Sequence, residues 1–263
     1  MRQTKQTIGI LGFGVMGKAI FSALRKDKRY TFAVHSLDVK KISGAAVCDS
    51  LSELYETSDV IFLCVKPQDF YELPRADFSK KNITLISVMA GVPLKAIHAV
   101  FPFAKMVRTM PNLALQVGQA VVGWYVPIRV FSARELEDIE VMLANFGLAV
   151  RMKKEQMLDV ITAVSGSGPA YVFVFAGALA KAAQSLGFTY QQANLIVSQT
   201  IKGAMTYAQQ DGRPWDALTQ SVVSKKGTTA AALQKLNVKK FERQWQAAVK
   251  SAYRRAQELS RHD

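Results

Sequence analysis

Six residues near the start of the chain, Gly12-Phe13-Gly14-Val15-Met16-Gly17, have the types and spacing to hold a pyrophosphate. They follow the apolar run 8–11 and open a stretch carrying Ala19, Ile20, Ala23 and Leu24 at helical spacing. In such a strand–turn–helix unit the first glycine makes the tight turn and the second lets the backbone approach the phosphates. The third allows close helix–strand packing. The helix N-terminus then offers unpaired N–H groups and the positive end of its dipole. A dinucleotide is the expected ligand, with Gly12, Phe13, Gly14, Val15, Met16 and Gly17 lining it. The next strand should end near His35 and Ser36, where an NAD-binding chain usually carries Asp or Glu for the ribose 2′-hydroxyl. Here His35 and Ser36, with Asp38 slightly late and Lys40-Lys41 behind it, favour a 2′-phosphate. NADPH is the expected cofactor, with NADH as the alternative.

The rest of the reactive inventory is sparse. The three histidines are His35, His98 and His262, and none is placed as a general acid for a ketone or hydroxyl substrate. Cys48 and Cys64 are too few for a disulfide framework or a cysteine metal site, and no metal-ligand spacing appears. A reductase without an evident acid suits a protonated imine, whose carbon accepts hydride without an oxygen having to be charged. A second polar cluster, Ser165-Gly166-Ser167-Gly168-Pro169-Ala170-Tyr171, offers hydroxyls and accessible backbone N–H groups. Taken alone, such a cluster reads as a turn or linker, with Pro169 suited to the first turn of a following helix.

These residues need a scaffold, and the chain has the length for two domains. Residues 7–126 alternate β-branched runs (7–11, 30–35, 60–65, 83–87, 105–108 and 120–126) with helical patterns at 17–26 and 93–100. That alternation predicts a doubly wound parallel sheet with helices on both faces. A further helix is expected over 133–145, opened by the capping pair Ser132 and Glu135. Beyond Ser165 the pattern is almost purely helical, over 170–186, 191–210, from Pro214, and 239–260, with a second capping pair at Thr189 and Gln192. The apolar faces bearing Tyr171, Phe173, Phe175, Leu179, Ile196, Ile201 and Met205 are too broad for a few helices to bury, so dimerisation is expected there.

The net charge is +14, but the lysines and arginines are scattered and form nothing like a nucleic-acid reading element. No secretory signal is visible, and the apolar run 170–180 is short for a bilayer. The sequence therefore reads as cytoplasmic, with no nucleic-acid or membrane partner.

In order and spacing, a set of segments resembles the pyrroline-5-carboxylate reductase family. It comprises residues 12–17, Val65-Lys66-Pro67-Gln68, residues 87–91, and Val107-Arg108-Thr109-Met110-Pro111-Asn112. Thr162-Ala163-Val164 leading into Ser165–Tyr171, and then Gly227-Thr228-Thr229, complete it. The resemblance implies a Rossmann domain (1–157) and a helical dimerisation and substrate domain (158–263). It also implies NADPH-dependent reduction of 1-pyrroline-5-carboxylate to L-proline by hydride transfer to the imine carbon. On this reading Val65, Lys66, Pro67, Ala90, Gly91 and Asn112 face the cofactor, with Ala90 and Gly91 at the nicotinamide. Ser165, Gly166, Ser167, Gly227 and Thr228 bind substrate, and the Thr229 hydroxyl reaches the imine nitrogen. The assembly is a homodimer, alone or as the unit of a larger homo-oligomer.

The chain also departs from the family pattern. Ser-Pro-Gly-Gly-Thr-Thr appears as Ser224-Lys225-Lys226-Gly227-Thr228-Thr229, which costs conformational energy if Lys226 must take a positive φ. Leu113 and Ala114 replace Thr-Pro, Gly177 and Lys181 replace two acidic residues, and Leu51 stands where an asparagine faces the adenosine. Two alternatives stay open on these grounds. One is a non-catalytic nucleotide-binding relative, and the other a reductase of another small imine or a β-hydroxy acid.

Overall fold

A computed structural model describes residues 5–74 and 83–260; His262 and the Lys80-Lys81 pair lie outside the described residues. The chain divides into two compact units, one formed by Met1–Ser167 with Ala252–Asp263, the other by Gly168–Ser251. The division thus falls ten residues later than the sequence boundary at 157, and the C-terminal segment returns to the first unit.

The first unit is built on one sheet. Its strands are β1 (Gln6–Leu11), β2 (Tyr30–His35), β3 (Ala46–Val47), β4 (Val60–Leu63), β5 (Thr84–Ser87), β6 (Lys105–Met110), β7 (Ala120–Tyr125) and β8 (Gly147–Arg151), in spatial order β3-β2-β1-β4-β5-β6-β7-β8. All neighbours are parallel except β6 and β7. Its helices are α1 (Val15–Leu24), α2 (Leu51–Thr57), α3 (Pro67–Phe70), α4 (Leu94–Val100), α5 (Ala133–Ala144) and α6 (Met157–Ile161). Pleating sends alternate strand residues to opposite faces. Ile8, Ile10, Phe62, Ile86 and Val107 pack with Ile20 and Leu24 of α1 and Leu143 of α5. Leu11, Ile61, Leu63, Leu85 and Met106 pack with Leu54 of α2, Phe70 of α3 and Ile97 of α4. Burial on both faces explains why these strands read as continuous apolar runs. The expected α5 capping box is present, with Ser132 and Glu135 each bonding the other's backbone.

The second unit contains α7 (Gly168–Ser185), α8 (Tyr190–Asp211), α9 (Trp215–Ser221), α10 (Thr228–Leu236) and the first part of α11 (Val238–Leu259). The Thr189–Gln192 capping box opens α8 as expected. Small residues join α7 to α8: Ala180, Ala193 and Val197 are buried, flanked by Ala176, Ala183 and Ile201. The large side chains point elsewhere, leaving Phe173, Val174, Leu195 and Ile196 exposed. On α11, Trp245 stacks edge-on with Tyr171 of α7 and Phe241, at centroid distances of 5.3 and 5.9 Å.

Two local expectations are corrected. Ser165 and Gly166 are not a linker, since they lie in a π-helical turn, Thr162–Gly166, that runs from α6 towards α7. Ser167 donates its N–H to the Thr162 carbonyl at 2.9 Å, the five-residue spacing of such a turn. Counting that turn, the helix Met157–Ser185 is 29 residues and holds an 18-residue window of mean hydropathy 1.4, long and apolar enough by length and composition to cross a membrane. The run 170–180 appeared too short because helical residues on both sides extend it.

Candidate functional site

At the sheet edge formed by the strand carboxyl ends, the chain after β1 passes between β2 and β4, where the order of connections reverses. Ligands bind at such a switch point. Gly12 takes φ +90, and its N–H donates to the His35 carbonyl at 2.9 Å. A Cβ on Gly12 would lie 2.9 Å from the backbone of Cys64 and Val65, so the turn is pressed against the exit of β4. A Cβ on Gly17 would collide with the Gly12 carbonyl. Gly14 differs, because a Cβ there would meet nothing within 4 Å. Gly14 is also the N-cap of α1 and makes no side-chain cap, and the first turn of α1 holds no acidic residue. Gly12 and Gly17 thus serve the tight turn and the close packing expected of them, and the space at Gly14 lies at a helix start with no side-chain cap, the kind of N-terminus that suits an anion. Phe13 and Met16 turn inward to the core, while Val15 is exposed.

Neighbouring segments complete this edge. The His35 Nδ1 lies 2.9 Å from the Cys48 carbonyl, which accepts its proton and leaves Nε2 as the free ring nitrogen. Ser36 follows it, and Lys40 and Lys41 are exposed beyond. Lys66 is the N-cap of α3 with Pro67 at its first position, so Val65, Lys66 and Pro67 form the turn leaving β4. Burial pushes the Cys64 thiol well above its ordinary range, so it stays protonated beside this turn. Leu51 opens α2, is buried in the core and offers no polar group to a ligand.

Two further predicted residues meet directly. Asn112 caps a short 3₁₀ turn, Leu113–Val117, through its side-chain oxygen, while its amide donates to the carbonyl and hydroxyl of Ser165, both at 3.1 Å. Gly166 is close-packed, a Cβ there falling 2.9 Å from the Met110 methyl. Gly227, Thr228 and Thr229 belong to the second unit. Gly227 is the N-cap of α10, so Thr228 and Thr229 occupy its first turn and are not themselves the cap. Lys226, which stands where the family pattern has a glycine, has φ 59, so the conditional cost of a left-handed lysine applies here.

Sequence reasoning missed a buried ionic cluster in the first unit. Arg108 on β6 donates to Glu155 at 2.8 Å and lies 3.8 Å from Asp159 on α6. Glu155 also accepts the Leu94 N–H at 2.8 Å, and Ser260 stands between Arg108 and Asp159. The signal was available, because an arginine between Val107 and Thr109 in an apolar strand needs carboxylates of its own.

The chain as a whole is similar to known proteins. A relative from Arabidopsis thaliana named pyrroline-5-carboxylate reductase is 32% identical, the match covering 96% of this chain and 95% of that one. The chain belongs to the pyrroline-5-carboxylate reductase family. A pyrroline-5-carboxylate reductase from Aquifex aeolicus is also 32% identical, over 89% of this chain and 90% of its own. The solved structure of a family member from Coxiella burnetii superposes with a TM-score of 0.88 at 28% identity, covering 98% of this chain and 99% of that one. Residues 155–259 match the model described as pyrroline-5-carboxylate reductase dimerisation. Residues 7–91 match that of NADP oxidoreductase, coenzyme F420-dependent. The family's two-part plan, a Rossmann-type sheet followed by a helical dimerisation domain, is the fold observed.

Proposed function

We propose that this chain reduces 1-pyrroline-5-carboxylate to L-proline with NADPH, the last step of proline synthesis. The observation that carries the reading is the α1 N-terminus, uncapped and opening at Gly14 onto free space beside the exits of β2 and β4. Gly12, Gly14 and the α1 N–H groups hold the pyrophosphate, and His35 and Ser36 meet the 2′-phosphate. Val65–Pro67 and Ala90–Gly91 border the dinucleotide, the latter at the nicotinamide. NADPH, when bound, supplies the hydride. The substrate carboxylate is bound by the backbone of Gly227 and Thr228, and the Thr229 hydroxyl orients the imine nitrogen. Because the imine is already protonated, the protein's contribution is orientation rather than proton transfer.

Ser165, Gly166 and Ser167 also bind substrate, with Ser165 held by Asn112. The exposed aromatic and aliphatic face of α7 and α8 is taken as a homodimer interface, which accounts for its hydropathy without a bilayer, and the enzyme is assigned to the cytoplasm. Domain limits of 1–157 and 158–263 are retained as the functional division. Replacing Thr229 by Val tests the reading: turnover should fall while NADPH affinity holds. L-proline, the product, should compete with the imine. Equal loss of turnover and NADPH binding in Thr229→Val would overturn the catalytic placement.

A further inference from the structure

We propose that the C-terminal turn, Leu259-Ser260, is a positioning element for the nicotinamide end of the cofactor site. The inference rests on the reading above, in which Ala90 and Gly91 border the nicotinamide. The loop between β5 and α4 is held at two points. Gly91 takes φ +76, and a Cβ there would fall 2.9 Å from the Leu259 Cβ and 3.1 Å from its carbonyl oxygen. Only glycine lets the loop lie this close to the end of α11. Three residues on, the Leu94 N–H is held at 2.8 Å by Glu155 Oε1.

Both holds converge on Arg108. The same Glu155 oxygen accepts from Arg108 Nη1 at 2.8 Å. The Ser260 hydroxyl accepts from Arg108 Nη2 at 3.4 Å and donates to Asp159 Oδ1 at 3.1 Å, linking a cation and a carboxylate that are themselves 3.8 Å apart. Arg108 is 5% and Asp159 6% exposed, so this hydroxyl completes a cluster largely removed from water. Ala256, one turn earlier, is buried as well. A hydroxyl that both accepts and donates is the group this gap requires. Withdrawing it leaves the charges short of a partner, and Leu259 is then no longer fixed against Gly91.

The adenosine half of the cofactor lies at Gly12–Gly17 and His35, on other segments, so the effect should be confined to one end of the ligand. The test compares full-length protein with Ser260→Ala, Ser260→Thr and a chain ending at Glu258. Affinity is measured for NADPH and for 2′,5′-ADP, which carries the adenosine half alone. The shortened chain should bind NADPH about tenfold more weakly, a change of about 1.4 kcal/mol. Its affinity for 2′,5′-ADP should not change, and amide exchange over residues 90–94 should quicken. Ser260→Ala should show the same selective loss to a smaller degree, and Ser260→Thr, which keeps the hydroxyl, should not. Unchanged NADPH affinity in both Ser260→Ala and the shortened chain overturns the inference, as does equal weakening of both ligands. Failure of the underlying reading shows separately, as unaltered protein that binds neither ligand.

Discussion

The side-chain amide of Asn112 lies 3.1 Å from both the carbonyl oxygen and the hydroxyl of Ser165, tying the exit of β6 to the π turn ahead of α7. The Asn112 oxygen is simultaneously spent on the Ala114 N–H. One partly buried side chain thus fixes two segments that the sequence separates by 53 positions.

Asn112→Ala removes all three bonds at once. A loss of about 1–3 kcal/mol in unfolding free energy is expected, read in a urea titration. The kcat/KM for the imine should fall further than NADPH affinity, because Ser165, held by this amide, is proposed to bind substrate.

Lys226 holds φ 59 without the freedom of glycine. An L-residue in that region costs about 1–2 kcal/mol, partly offset by the entropy glycine loses on folding. Lys226→Gly should therefore raise Tm by a few degrees, and Lys226→Val should lower it; both are read by differential scanning calorimetry.

Glu135 responds to acid. The Lys105 ammonium hydrogen-bonded to it, followed by the Ser132 N–H and hydroxyl, holds its carboxyl at about 2 against an ordinary 4.5. A folded-state value below the unfolded one stabilises the protein above about pH 4.5, and this contribution disappears as pH falls through about 2. The side chain is 40% exposed, so solvent screening limits the pair to about 1 kcal/mol. Glu135→Gln should be less stable than the parent at neutral pH, and the two denaturation curves should converge as pH approaches 2.

Phe173 and Ile196 are 62% and 44% exposed on α7 and α8. A glutamate at either position would place a charge in the proposed dimer interface. Phe173→Glu or Ile196→Glu should shift the protein to monomer in sedimentation velocity, with Gly12–Gly17 still able to bind NADPH.

The first unit was largely legible in the sequence because its signals are local. β2 matches the expected limits residue for residue, since Phe32, Ala33 and Val34 form a buried apolar run at the centre of Tyr30–His35. Both capping boxes are four-residue patterns and both formed. Short elements escaped notice: β3 is two residues, and α3 one turn beginning at Pro67. Taken alone, Ser165–Gly168 reads as a turn because Ser and Gly favour turns locally, whereas the flanking apolar helices carry these residues in helical form. Arg108, Asp159 and Ser260 could not be joined by pattern, because the bond from Ser260 to Asp159 spans 101 positions and depends on α11 returning to the sheet.

The central claim is tested most directly by following reduced nicotinamide absorbance in purified protein supplied with NADPH and 1-pyrroline-5-carboxylate. The expected result is steady NADPH loss matched by L-proline formation, faster than with NADH. Protein that binds NADPH tightly yet consumes none in the presence of the imine would contradict it.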